Sequence, residues 1–381
     1  MTPAVLIVSA TPYRSNRAAG IRLLHEVDAL TLSGYAVELL LPPLGDPIYS
    51  SARQVHFPPR FPLLRGLPAR RLSVRRAWYA LTLLHKALRL ALQRHYTLVL
   101  GIAEGSLAAC LVAWFCRIPL IYEHPPRRPL GPLKRWIARR ADLLLSPSRD
   151  IIPKARAIGL GSRVSYLPDI PSAIQPPSPA QVARAQSIWA GGHEKQPVIV
   201  IVGTRRDFPF GTLPEAIKQL YQIRPDIQYV FIGGTTRQIA TLRRRLCQDT
   251  PELPARFSGC LQPESLSIAL AASTFCILHL PPAEEVPMRL LDAYLASAPV
   301  LALGSGEEVA LPGVRRCLDE PSEWVRAMVD LVDDGEGRAR LAREGRGALG
   351  PERTPGGFAA GVATCCGFVL ELHNRGKVGM R

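Results

Sequence analysis

The feature that most constrains this chain is a strand-then-helix alternation that runs twice, with one break between the two runs. Residues 4 to 9 form an apolar strand, followed by the turn TPYRSNRAAG, a helix over 21 to 33 closed by Gly34, and a second strand AVELLL. This is the βαβ opening of a doubly wound sheet, in which ligands bind at the carboxyl edge of the strands. The alternation continues through TLVLGIA (97 to 103), a helix around 104 to 117, IPLIYE (118 to 123), a basic helix near 131 to 140, ADLLLSPS (141 to 148) and RVSYLPD (163 to 169). Pro, Ser and Gly then gather in PSAIQPPSPA (171 to 180) and AGGHEKQP (190 to 197), the composition of a linker with one short helix in it. A second run starts at PVIVIVGT (197 to 204) and passes through a helix over 213 to 222, QYVFIGG (228 to 234), a helix over 236 to 247 and TFCILHL (274 to 280), to a helix beginning near Pro287. Both runs read as open parallel sheets covered by helices. A chain of 381 residues also exceeds what one core usually supports. The expected domains are 1–170 and 197–355, joined by a linker over 171–196, with a tail over 356–381 that can return to the first domain.

Composition narrows the class. The chain is 47% hydrophobic and 20% charged, as globular proteins are. Its start, MTPAVLIVSATPY, lacks a basic n-region and reads as a first buried strand rather than a signal peptide. The most apolar later stretch, 101 to 122, is interrupted by Glu104 and Arg117, so no membrane-spanning helix is expected there. The eight cysteines show no CxxC and no histidine at metal-ligand spacing, and Cys365 and Cys366 are adjacent. That pattern fits a reducing cytoplasm and gives no zinc site. The net charge of +16 is unevenly placed. Between 47 and 103 lie ten Arg or Lys and no Asp or Glu, and a second basic run follows at Arg127, Arg128, Lys134, Arg135, Arg139 and Arg140. The first half should therefore attract something anionic. Nucleic acid is the weaker candidate, since no RNA-binding motif or aromatic stacking pattern accompanies the charge.

The candidate site follows from PPAEEVPMRLLDAYLASAPVLAL, residues 281 to 303. Glu284 and Asp292 are eight residues apart, and Pro287 suits the first turn of the helix that carries Asp292. The acidic pair Glu284 and Glu285 thus precedes a helix N-terminus, where the dipole and free N–H groups favour phosphate. Taken alone, the segment also reads as an ordinary amphipathic helix with a solvated acid. It resembles the acidic motif of retaining family-4 glycosyltransferases of the GT-B fold. Asp292 replaces the family's second Glu, and Glu285-Val286 replaces its Gly-Phe. Pro287, the Leu-Leu-acid-Ala run at 290 to 293 and Ala-Pro-Val at 298 to 300 follow the pattern. The resemblance extends in order over nearly the whole chain: residues 4 to 34, YLPD, VIVIVGT, FIGG (231 to 234), FSG (257 to 259) and DDGEGRARLAREGR (333 to 346). It implies an α/β protein of GT-B architecture, two doubly wound Rossmann-like domains facing a central cleft.

Residue by residue, the resemblance implies a donor site for a nucleotide-diphosphate sugar. Backbone N–H groups of Ala19 and Gly20 would hold the diphosphate, and His124, at the end of a strand, would approach the sugar. Glu284 would contact sugar hydroxyls, the backbone of Glu285, Val286 and Pro287 would add contacts, and Asp292 would accept from the ribose. After Gly203 the family offers an Arg and a Lys. This chain has Thr204 and Phe210 there, with Arg205 and Arg206 as the nearby replacements. No Asp-x-Asp lies near these positions, so the resemblance implies metal-independent transfer with no cofactor beyond the donor itself. The helix over 73 to 94, with Arg70 and Arg71 just before it and Arg75, Arg76, Lys86 and Arg89 within it, resembles the basic first-domain surface of enzymes that glycosylate membrane lipids; it reads equally as a core helix with a solvated basic face. The resulting expectation is a cytoplasmic glycosyltransferase, peripheral on the inner face of the membrane, acting with retention on a lipid-linked or envelope glycan acceptor. The alternatives are a catalytically inactive relative that serves as a binding or scaffold protein, and a nucleotide-sugar epimerase.

Overall fold

The computed structural model describes residues 2–15, 17–43, 45–48, 50–58, 72–126, 128–190, 196–203, 211–248, 250–280, 286–304 and 310–378. They fall into two compact units, Met1–Asp169 with Pro351–Arg381, and Ile170–Gly350.

The first unit contains β1 (Ala4–Ser9), α1 (Ala18–Leu32), β2 (Ala36–Leu40), β3 (Gln54–His56), α2 (Leu72–Gln93), β4 (Leu98–Ile102), α3 (Ser106–Cys116), β5 (Leu120–Glu123), α4 (Pro132–Arg140), β6 (Leu143–Ser146), α5 (Ile151–Ala157) and β7 (Val164–Tyr166). The strands form a parallel sheet in the order β3-β2-β1-β4-β5-β6-β7. The order reverses between β1 and β4, the switch point at which doubly wound sheets open a crevice. β1 is apolar from Ala4 to Val8 because helices cover both of its faces, and Val5, Leu6, Ile7 and Val8 are fully buried. The β3 strand pairs only through three residues at the sheet edge and carried no sequence signal. One face of the sheet packs on α2, α3 and α4 through Leu83, Ala87, Leu90, Ala109, Val112 and Ile137.

The second unit contains α6 (Pro179–Trp189), β8 (Val198–Gly203), α7 (Leu213–Ile223), β9 (Gln228–Gly233), α8 (Thr236–Cys247), β10 (Ala255–Gly259), α9 (Pro263–Ala271), β11 (Phe275–Leu278), α10 (Met288–Leu295), β12 (Val300–Leu303), β13 (Val314–Cys317), α11 (Pro321–Asp333) and α12 (Gly335–Gly347). Its parallel sheet has the order β10-β9-β8-β11-β12-β13, with the switch point between β8 and β11. Helix starts are specified locally. Ser178 with Gln181 and Thr235 with Gln238 form complete capping boxes at α6 and α8.

The stretch 171–196, expected as a linker, belongs to this second unit: Ser172 bonds to Asp292 in α10, and α6 packs on α9. The second unit ends at Gly350 rather than at 355. The last helix, α13 (Pro355–Val378), packs in the first unit against α1. Over Pro355–Arg375 it is long and apolar enough to cross a membrane, but Phe358, Val362, Cys365, Cys366 and Val369 are buried along one side. That side faces the unit it joins, while much of the rest of the helix is exposed.

Candidate functional site

In the second unit the chemistry converges on the carboxyl edge beside the β8/β11 switch point. β8 ends at Gly203 and its neighbour β9 at Gly233, whose φ is +102°. A Cβ at Gly233 would lie 2.1 Å from the Gly203 carbonyl oxygen, so close backbone approach requires glycine there. α10 starts at this edge from Pro287, an extended N-cap residue with no side-chain cap bond. Its positive dipole end suits a phosphate, and Arg289 lies in its first turn.

The chain between β8 and α7 re-emerges at Gly211 and Thr212 and is tethered there by Asp319, from the β13–α11 connection. Asp319 Oδ1 accepts from Thr212 N at 2.9 Å, Thr212 Oγ1 at 2.8 Å and Trp324 Nε1 at 3.4 Å. Burial pushes this carboxyl up, but the Thr212 and Trp324 donors and nearby His279 bring it below its ordinary value. A Cβ on Gly211 would meet the same carboxylate at 2.0 Å. Asp319 had no sequence signal, since a single acid before a helix is common.

Asp292 differs from the sequence expectation. It is only 3% exposed, and its Oδ1 accepts from Ser172 N at 2.6 Å and Ser172 Oγ at 2.7 Å. Burial pushes its pKa up to about 6, against the opposing pull of the Ser172 bonds and Arg289. The carboxylate ties the start of the second unit to α10. The short Asp side chain reaches a partner within its own unit.

In the first unit, His124 also departs from expectation. Its N–H still belongs to the sheet ladder, donating to Leu145 O at 2.8 Å, so the ring is held inside and is 2% exposed. His124 Nε2 lies 2.8 Å from Arg128 O and Nδ1 lies 2.9 Å from Tyr122 Oη. A carbonyl can only accept, so Nε2 carries the proton and Nδ1 accepts from the tyrosine. Burial lowers the pKa of this neutral ring. Both ring nitrogens thus have partners within the first unit, at Tyr122 and Arg128.

Gly20 is required by the chain's own packing, because a Cβ there would lie 2.2 Å from Arg14 O. Its N–H donates to Arg17 O at 2.9 Å, while Ala19 is exposed in the uncapped first turn of α1. Two residues further, Arg22 is buried among three carboxylates. Its Nε lies 2.5 Å from Glu123 Oε1 and 3.2 Å from Glu26 Oε1, and its Nη1 donates to Asp169 Oδ1 at 2.7 Å. Its guanidinium also sits over the Phe358 ring of α13 at 5.6 Å. Burial alone would lower the Arg22 pKa, but the carboxylates more than offset this and raise it. Burial and adjacent Glu123 hold Glu26 well above the usual carboxylate range. The cluster joins α1, β5, the end of the first run and α13, residues that no sequence motif links.

Of the remaining expected site residues, Val286 and Pro287 are half-buried at the α10 start, and Lys86 and Arg89 lie on α2, the latter exposed. Glu284, Glu285, Arg205, Arg206, Arg70 and Arg71 lie outside the described residues, as do the side chains of Arg75 and Arg76. Among the described residues no three His, Cys, Asp or Glu side chains come together as a metal site would need.

Two parallel, doubly wound α/β units with these strand orders define the GT-B class of glycosyltransferase folds. Solved structures place the chain within it. HepE from Anabaena, solved with UDP and glucose, matches with a TM-score of 0.67 and 14% identity over 95% of this chain and 98% of that one. Sucrose-phosphate synthase from Thermosynechococcus elongatus matches with a TM-score of 0.68 and 16% identity over 94% and 97%. UDP-GlcNAc 2-epimerase from Neisseria meningitidis matches with a TM-score of 0.63 and 12% identity over 95% and 99%. No protein-family model and no curated protein sequence matches the chain.

Proposed function

We propose that the protein is a retaining glycosyltransferase that takes a sugar from a uridine diphosphate donor. Its acceptor is a lipid-linked or envelope glycan at the inner face of the cell membrane. The observation that carries the reading is the match to HepE, solved with UDP and glucose, over 95% of this chain. The chemistry is consistent with it. Negative charge grows on the departing diphosphate, so donors already aimed at it lower the barrier most. The α10 N-terminus and Arg289 supply such a field, and Arg205 and Arg206 are the further guanidinium groups the resemblance offers for the diphosphate. Glu284 and Glu285 accept from the sugar hydroxyls. Asp292 and His124 act as positioning residues through Ser172 and the strand end. With helix dipole and guanidinium in place, the transfer runs without a metal ion. The match to a UDP-GlcNAc 2-epimerase favours one second reading, the same class of donor with no acceptor. An inactive scaffold is not favoured by these comparisons.

Thermal unfolding with UDP, GDP, ADP, TDP and their sugars tests the donor. A ligand at one hundred times its dissociation constant adds about 2.7 kcal/mol of stability. A rise with UDP or one UDP-sugar is expected, and a flat panel from folded protein refutes the proposal. UDP release that depends on added membrane lipid separates transfer from epimerisation, in which one UDP-sugar becomes another with no acceptor-dependent release of UDP.

A further inference from the structure

Four ionisable side chains meet beside α13 in the first unit, and their charges do not balance. One guanidinium, Arg22, faces the carboxyl groups of Glu26, Glu123 and Asp169. Arg22, Glu26 and Glu123 are buried, while the Asp169 side chain is 20% exposed. Glu26 and Glu123 approach the same Arg22 Nε, yet Glu26 Oε1, Glu26 Oε2 and Glu123 Oε2 each lie buried without a hydrogen bond. Carboxylates only accept, so a bond between these two side chains requires a proton on one of them. That single proton gives partners to two buried oxygens and leaves the pair with the charge of one carboxylate, which Arg22 can balance.

α13 closes over this pair without supplying a charge. Residues 355 to 370 contain no Asp, Glu, Lys, Arg or His. A cavity of about 20 Å³, room for one water molecule, lies between Glu26 and Leu30 of α1 and Val362, Cys365 and Cys366 of α13, with apolar side chains of β4, β5 and β6 as its floor. Arg22 on the same helix attracts Glu26, whereas Glu123 from β5 and Asp169 beyond β7 repel it. The α13 groups facing it are two thiols, kept neutral because burial pushes Cys365 up and Cys366 up to about 12. His25 turns to the Phe358 ring, 6.3 Å away between centroids, and Tyr35 is the titratable group near Cys366 from the α1–β2 side. An ionised pair would therefore face hydrocarbon and thiols, and it gains hydration where α13 lifts away. Arg22 also holds the start of α13 through Phe358, and its partner Asp169 accepts at its carbonyl from Arg353 Nη1 at 3.1 Å, just before that helix.

We propose that Glu26 and Glu123 form a proton-operated latch for α13. With one proton on the pair, α13 stays seated on α1; loss of that proton unseats the stretch from Phe358 to Val369. The seated form binds the extra proton, so seating is full at low pH and weakens as pH rises. The latch is independent of the donor chemistry proposed above.

Cys365 and Cys366, 7% and 1% exposed, report the seating, and exposed Cys260 reports the thiol chemistry itself. The full chain is labelled with N-ethylmaleimide from about pH 5 to about pH 9, the span in which a buried carboxyl gives up its proton, and each labelled cysteine is located by peptide mass spectrometry. In wild type the ratio of labelling at Cys365 and Cys366 to that at Cys260 should rise with pH, by up to about tenfold per pH unit for release of one proton. Glu26→Gln carries no charge and keeps an amide that can donate to Glu123, so its ratio should stay low and flat. Glu123→Gln, which removes the other member of the pair, should flatten the profile likewise and serves if the first variant does not fold. A wild-type ratio that is flat, or that falls as pH rises, overturns the proposal. So does an equal rise in the folded Gln variants, which would assign the opening to another group. A rise that coincides with loss of helical circular dichroism across the chain also overturns it, because the event is then global unfolding.

Discussion

Replacing Asp292 with Asn should stabilise the second unit at neutral pH, and the size of the effect follows from its surroundings. The Asp292 carboxyl is buried, bonded to Ser172, and pushed up to about 6 from an ordinary value of 3.8. Because the folded value is the higher one, the native state binds more protons than the unfolded chain between these two pH values. Stability is therefore full below the ordinary value and falls as pH rises through the folded value. At about 1.4 kcal/mol for each pH unit between the two, the ionised carboxylate costs about 3 kcal/mol at pH 7 to 8. Asn keeps an oxygen that accepts from Ser172 N and Oγ and carries no charge. Asp292→Asn should thus match wild type near pH 4 and exceed it by up to about 3 kcal/mol near pH 8. For a unit of this size that is a rise of about 6–12 °C in melting temperature. Asp292→Ala offers no acceptor and leaves the Ser172 donors buried, so near pH 4 it should fall below wild type by about 1–3 kcal/mol. Scanning calorimetry across this pH range reads all three proteins. An Asn variant that is less stable than wild type near pH 8 would refute the reasoning, by showing that the Ser172 bonds to the charged form outweigh burial. The same protein tests the role of the residue. Retained UDP binding supports an internal anchor, while lost binding in a folded variant returns Asp292 to the ribose.

Three further outcomes are expected. Glu38, buried in β2, accepts from Arg94, Tyr96 and His56, and these donors lower its pKa despite burial. Its contribution is present above the ordinary carboxylate range and lost as pH falls through the folded value, so Glu38→Gln should cost about 2 kcal/mol at pH 7 in urea unfolding, a difference that narrows below about pH 4. Arg22→Met strands Glu123 and Asp169 without their cation and should cost about 3–5 kcal/mol, seen as a large fall in the first unit's melting temperature at pH 7. Asp319→Ala removes the tether on Thr212 at the start of α7, and calorimetric titration should show UDP affinity reduced by about tenfold; unchanged affinity would mean that the Thr212 tether has no part in donor binding.

Much of the architecture was legible in the residues. Apolar runs such as VLIVS and VIVIV, punctuated by Gly and followed by amphipathic stretches, report buried parallel strands and covering helices because both signals are local and periodic. The glycines at 20, 203 and 211 were legible as special positions, but their reason was not. The obstacles they avoid are Arg14 O at Gly20 and the Asp319 carboxylate at Gly211, and Gly203 itself is the backbone that Gly233 approaches. The motif positions were likewise visible without their partners. Asp292 meets Ser172 from 120 residues away, and Arg22 meets Glu123 and Asp169 from 101 and 147 residues away. Periodicity records that a side chain faces inward but not which distant group meets it there, so the same Asp in the same pattern fits a ribose or a serine equally well. The Trp114-Phe115 pair shows the converse. In sequence it continues an apolar helix, and only the packing of α3 between α2 and α4 leaves the pair outside the core. The sequence by itself determined two Rossmann-like sheets, the basic first half and the positions of the glycine turns, because each is written in neighbouring residues. The tertiary structure alone decided which distant groups the marked Asp and His meet and which side chains are left exposed, because burial and pairing depend on segments that meet only after the chain has folded.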